Sequence, residues 1–206
     1  KDAIDNALKP YGKLLPVGIF VHGGSYKSGS SNLYPSGELV KYWNGKGIMI
    51  TVNYRLNIFG FLGSEQLSKV DTEYGSTGNQ GIQDQRQAMK WVQDNIQSFG
   101  GNPNNVMIFG ESAGAGSISA HLTMSKSFGL YNKAILESGS FAMWTMQNLN
   151  TAINTINQFT SYTKCYTNNG NANGNANGNA NGNGNGEVDI QCLQNLTTLE
   201  ITTAQL

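Results

Sequence analysis

Residues 104–121 read N-N-V-M-I-F-G-E-S-A-G-A-G-S-I-S-A-H. Val106 to Phe109 form a short apolar run between turn-forming residues, the pattern of a buried strand. The run leads straight into Gly110-Glu111-Ser112-Ala113-Gly114, and the small residues that follow can start a helix. G-x-S-x-G between a strand and a helix is the nucleophile-elbow pattern. Glycine on both sides permits a sharp bend, and the bend lifts the serine hydroxyl above the sheet.

With 26 Gly in 206 residues, the pentapeptide would arise by chance roughly 0.3 times, so its context carries the weight. Upstream, Pro16 to His22 reads as another short buried strand, and it ends in a second glycine turn, His22-Gly23-Gly24-Ser25. A glycine turn after a strand supplies backbone N–H groups to an oxyanion hole in the α/β-hydrolase arrangement. Strand and helix patterns alternate along the chain. Strands are expected at 48–54 and 133–137, and helices at 38–43, 82–99, 113–124 and 147–164. Alternation of this kind predicts a mostly parallel sheet with flanking crossover helices. Residues 55–81 are too long for an idle connection and are expected to be functional or packed over the site.

Thirteen basic and thirteen acidic residues cancel, and only 13% of the chain is charged. Nothing in that balance points to a nucleic-acid partner. No apolar run approaches the roughly 20 residues that a membrane-spanning helix needs. No cofactor and no metal is expected. Residues 168–186 are an unbroken Asn/Gly/Ala run, expected to be a disordered loop because so little apolar area cannot offset the cost of ordering it. Cys165 and Cys192 bracket that run. They read as a disulfide in an oxidised compartment or, alternatively, as two unrelated thiols. Asn195-Leu196-Thr197 is the chain's one glycosylation sequon, which fits secretion. Residues 188–206 read as a helix leading onward.

A serine hydroxyl needs an adjacent base. The chain has two histidines. His22 belongs to the glycine turn, and His121 lies nine residues past Ser112 on the same expected helix. That spacing puts it roughly 13 Å down the axis, out of reach of the hydroxyl. The sequence therefore leaves two readings: no triad, or a base outside these residues.

From Leu15 to about Ser140, some 60% of the chain, the sequence resembles the type B carboxylesterase/cholinesterase family of α/β-hydrolases. The matching segments are V-H-G-G-S-Y-K-S-G-S-S (21–31), V-N-Y-R-L-N-I-F-G-F-L (52–62), the long run from G-N-Q-G-I-Q-D-Q-R to F-G-E-S-A-G (78–114), and K-A-I-L-E-S-G-S (133–140).

The resemblance implies an incomplete α/β-hydrolase, an internal piece whose acid and histidine lie beyond position 206. It implies Ser112 as the acyl-accepting nucleophile and the N–H groups of Gly24, Ser25 and Ala113 as oxyanion donors. Ser25 stands where the family usually has a third glycine. Glu111 matches an acidic position that in cholinesterases borders the cation site, its plainer reading being a supporting residue held by hydrogen bonds. Ser138 matches a supporting serine near the triad, and Cys165 and Cys192 match a family disulfide. Trp144 would line an acyl pocket or sit in the core, Tyr26 would pack against the gorge wall, and Asp84 with Arg86 would form a structural ion pair.

The expected organisation is a partial hydrolase core over 1–164, a disulfide loop over 165–192 and the start of a further helical region over 193–206. The expected function is a secreted serine esterase acting on small carboxylic esters, with no triad-dependent turnover by these residues alone. The alternative is a catalytically silent, cholinesterase-like adhesion protein.

Overall fold

The computed structural model describes residues 13–73, 75–168 and 186–204. Four strands, β1 (Leu15–Val21), β2 (Ile48–Val52), β3 (Gly101–Glu111) and β4 (Lys133–Glu137), form one sheet in the order β2-β1-β3-β4. All three pairings are parallel. Parallel neighbours cannot be joined by tight hairpins, so each connection must cross over the sheet, and most carry helix. Ile19 sits in register with Ile50 on one side and Ile108 on the other. Val17, Ile19, Val21, Val106 and Ile108 are at most 3% exposed. Alternating residues from adjacent strands thus make one apolar layer at the centre of the sheet, each contributing roughly 1.5–3 kcal/mol.

β3 is longer than the apolar run predicts, because residues 101–105 continue the pairing through an irregularity between Leu15 and Val17. Pro103 lies in that irregular part, where a missing N–H breaks no regular ladder.

The first compact unit spans residues 13–57 and 81–146 of the described chain. It carries the sheet, α1 (Ser36–Tyr42), most of α4 (Gln80–Asn95) and α5 (Ala113–His121). In α4, Ile82, Gln85, Met89 and Val92 are buried at the three- and four-residue spacing of one helical face. Its last turn tightens to a 3-10 helix over Ile96–Phe99, and Gly100 closes it in the left-handed region at φ 83°.

The second unit spans residues 58–80 and 147–204 of the described chain. Within residues 55–81 lie two short helices, α2 (Asn57–Phe61) and α3 (Glu65–Ser68). They are joined in this unit by α6 (Leu149–Thr163), the antiparallel ribbon of β5 (Tyr166–Asn168) with β6 (Gly186–Val188), α7 (Ile190–Asn195) and α8 (Thr198–Thr203). Its core is Leu62, Ile156 and Phe159, covered by Ile58, Leu67, Val188, Leu193, Leu196 and Ile201.

The helix expected over 188–206 is corrected: it is two helices split at Leu196, whose ψ of 137° is extended. Thr197 caps the second helix and Glu200 answers it in a reciprocal capping box. The missed signal was T-x-x-E, a helix start lying inside what looked like one helix.

Cys165 and Cys192 are disulfide-bonded, with Cα atoms 5.4 Å apart and a separation of 27 positions in sequence. Closing a loop of that length restrains the unfolded chain by roughly 3.5 kcal/mol on a chain-entropy account. The Asn/Gly run expected to be disordered lies outside the described residues, apart from its two ends.

Candidate active site

β3 ends at Glu111, α5 begins at Ala113, and Ser112 alone makes the turn between them. Its backbone, at φ 55° and ψ −119°, is a conformation that an L-residue adopts only when its surroundings enforce it. The enforcement is visible on both sides. The Ser112 N–H donates to the Glu137 carbonyl at 2.9 Å, and the Ser112 carbonyl accepts from the Gly116 N–H at 3.0 Å. The Ser112 hydroxyl makes no capping bond to α5.

Each motif glycine is there for space. A Cβ on Gly110 would sit 2.6 Å from the Gly114 carbonyl carbon and 2.7 Å from the Val21 oxygen. A Cβ on Gly114 would run into that same Val21 carbonyl. Without side chains at these two positions, the start of α5 presses directly on the end of β1. Every α5 residue except Ala120 is buried, so the helix runs through the core rather than over it.

The glycine turn after β1 meets the serine there. A Cβ on Gly23 would lie 3.0 Å from the Ser112 Cβ and 2.9 Å from a Glu111 carboxylate oxygen. Gly24, Ser25 and Tyr26 follow with φ of 110°, 56° and 61°. The chain then folds back, with the Lys27 and Ser28 N–H groups both donating to the Gly24 carbonyl. The third element is the corner after β4. Ser138 has φ 54°, and a Cβ on Gly139 would be 2.6 Å from the Ser112 carbonyl oxygen. Three chain segments remote in sequence thus converge on Ser112. The first N–H groups of a helix have no partner within it, and the helix dipole favours negative charge at that end. An oxyanion forming on an acyl group at Ser112 would face such a helix start, beside the Gly23–Ser25 turn.

Both histidines are buried and hydrogen-bonded. His22 is 1% exposed, stacked on Tyr54 with ring centroids 4.6 Å apart, and its Nδ1 lies 2.8 Å from the Gly23 carbonyl. His121 is fully buried, its Nδ1 2.9 Å from the Ser127 hydroxyl and its Nε2 3.1 Å from the Gln85 side-chain carbonyl.

Burial, and secondarily the Arg86 charge, hold the His121 imidazole down to about 4 from its ordinary 6.5. The native state therefore prefers neutral His121, and between those values the unfolded chain binds more protons. Stability from this group is complete above about pH 6.5 and is lost as the pH falls toward 4, on the order of 3 kcal/mol in all. Denaturant midpoints measured from pH 7 to 4.5 should fall, and His121→Gln should flatten that slope.

One expected pairing is corrected. Asp84 pairs with Arg55, not Arg86: the Arg55 Nε and Nη2 donate to its two oxygens at 2.8 and 2.7 Å, and the Arg55 N–H adds a bond of 2.9 Å. Residues two apart on a helix point to different sides, so Asp84 and Arg86 on α4 do not face each other. The pair holds the Asp84 carboxyl below its ordinary value: burial alone would raise it, and the Arg55 hydrogen bonds and charge outweigh that. Trp144 is 53% exposed, so it is not a core residue of this unit. Asn195 is exposed at the end of α7.

Sequence reading missed a buried polar chain beneath the elbow. It runs from Ser127 through His121 to Gln85, then from the Gln85 Nε2 to Ser117 at 3.1 Å. Gln85 and Ser117 lie 32 residues apart and carry no motif, so no spacing rule could have joined them.

A parallel sheet, a strained serine turn into a buried helix and a glycine turn against that serine define an α/β-hydrolase. The carboxylesterase family model matches residues 5–206. The chain belongs to the carboxylesterase family. It is 45% identical over 137 residues to a para-nitrobenzyl esterase of Bacillus subtilis, covering 66% of this chain and 27% of that protein. It is also 39% identical over 144 residues to mouse neuroligin-2, covering 69% of this chain and 16% of that protein. The solved carboxylesterase of Geobacillus stearothermophilus superposes with a TM-score of 0.76 at 31% identity, over 95% of this chain and 36% of that one. The chain thus spans well under half the length of each of these proteins.

Proposed function

We propose that these residues are the nucleophile-bearing part of a serine esterase acting on small carboxylic esters through an acyl-enzyme. The observation that carries the reading is Ser112 in its strained turn, with the Gly23–Ser25 corner packed against its Cβ. Ser112 attacks the ester carbonyl, and the N–H groups of Gly24, Ser25 and Ala113 receive the charge of the tetrahedral oxyanion. Preorganised donors of that kind are each worth about 3 kcal/mol of barrier. The acid and histidine that complete a triad come from outside this chain. Glu111 and Ser138 support the turn from its two flanks, Glu111 toward Gly23 and Ser138 in the corner after β4. The oxidised Cys165–Cys192 pair supports an extracellular or secreted setting, in which Asn195 is the glycosylation acceptor. No described helix is long and apolar enough to cross a membrane.

The test is to treat the full-length protein with a fluorophosphonate and map the adduct by mass spectrometry. The expected site is Ser112. Folded protein that stays unlabelled would instead favour the second reading, a catalytically silent binding protein on the same scaffold. That reading is supported by the likeness to neuroligin-2, a relative whose name carries no esterase activity. An intact serine elbow favours the esterase.

A further inference from the structure

Ser117 sits one turn into α5, fully buried, and its hydroxyl has one proton to give and two lone pairs to fill. The proton goes to the Ala113 carbonyl at 3.0 Å. One lone pair accepts from the Gln85 Nε2 at 3.1 Å. Tyr26 is hydrogen-bonded to Ser117 as well. Ser117 thus has three polar partners, Ala113, Gln85 and Tyr26. Gln85 cannot drift, because its carbonyl holds the His121 Nε2 at 3.1 Å and His121 is held in turn by Ser127. The Ser117 oxygen is therefore a fixed anchor inside the helix.

Tyr26 is the residue directly after Ser25 and shares its left-handed backbone, φ 61° after 56°. Two successive non-glycine residues in that region cost on the order of 1 kcal/mol or more each, so the surroundings must hold them. Two contacts do so. The Tyr26 carbonyl accepts from the Asn57 N–H at 2.7 Å, and the phenol reaches across to α5. It lands in a notch left by Gly116, where a Cβ would stand 2.6 Å from the phenol oxygen.

We propose that the Tyr26–Ser117 hydrogen bond is a strut between the glycine corner and α5. It sets the distance from the Gly24 and Ser25 N–H groups on one side to the Ala113 N–H on the other. Tyr26 and Ser117 are then positioning residues for the oxyanion hole, touching no substrate themselves. The inference rests on the esterase reading above.

Its test uses the full-length protein with a p-nitrophenyl ester as substrate. Tyr26→Phe removes one oxygen and leaves the ring in place. The expected result is a fall in kcat of about tenfold with KM and melting temperature essentially unchanged, because a loosened hole weakens the transition state and not ester binding. Ser117→Ala should do the same. The double variant should be no slower than the slower single one, since both remove the same strut. Retained kcat in Tyr26→Phe, a loss carried by KM, single effects that multiply, or activity lost only in proportion to folded protein would each overturn it. An inert wild type defeats the esterase reading and this inference together, whereas failure of the strut alone shows only in the variants.

Discussion

Ser112→Ala in the full-length protein is expected to abolish ester turnover while leaving the fold intact. Losing the nucleophile of a serine hydrolase costs on the order of 10⁶-fold in kcat, because the remaining groups then have nothing to activate. The fold is spared for a specific reason. The turn is held by the Ser112 backbone, through the Glu137 carbonyl and the Gly116 N–H, and the hydroxyl caps nothing in α5. Alanine keeps the Cβ that packs on Gly23. Initial rates with a p-nitrophenyl ester, read beside thermal melts, check both halves. Turnover surviving in a folded Ser112→Ala protein would place the nucleophile elsewhere. Residues 1–206 alone should show no triad-dependent turnover, since the His22 Nδ1 and both His121 ring nitrogens already have hydrogen-bond partners.

Gly114→Ala should be among the most damaging added methyls at the described glycines. The added carbon would overlap the Val21 carbonyl oxygen and lie 2.8 Å from the Val21 carbonyl carbon and 3.1 Å from the His22 carbonyl carbon. All three are backbone atoms of β1 and its turn, so no side chain can rotate away. α5 must lift off the strand, costing at least about 3 kcal/mol. The lift would also part Ser112 from the glycine corner. Gly37→Ala is the matched control. Gly37 lies in α1 with nothing within 4 Å of its added Cβ, so alanine there should stabilise by about 0.5–1 kcal/mol. Urea midpoints of the two variants should move in opposite directions. A Gly114→Ala protein as stable as the parent would mean that α5 and β1 do not press together as described.

The elbow illustrates how sequence and fold divided the information. Val106 to Phe109, the glycines at 110 and 114, and the His22–Ser25 turn were legible because each is a local pattern. Apolar period marks a strand, and glycine marks a place where a side chain has no room or the backbone must turn left-handed. The four parallel strands and the buried stripe of α4 followed from alternation and periodicity, which act over a few residues. Helix ends were less legible. The stop before Thr197 was read over because a capping box inside an apolar-polar pattern competes with the pattern itself.

What the sequence by itself determined is thus the four parallel strands, the longer helices and the serine at the turn from strand to helix. Only the tertiary structure decided which remote residues meet. It joined Asp84 to Arg55 instead of Arg86, brought Gly23 against Ser112, and threaded Ser127, His121, Gln85, Ser117 and Tyr26 into one buried chain. The physical reason is the same in each case. A buried polar group must find a partner somewhere, but the partner's position is set by how strands and helices pack, and nothing in local spacing encodes it.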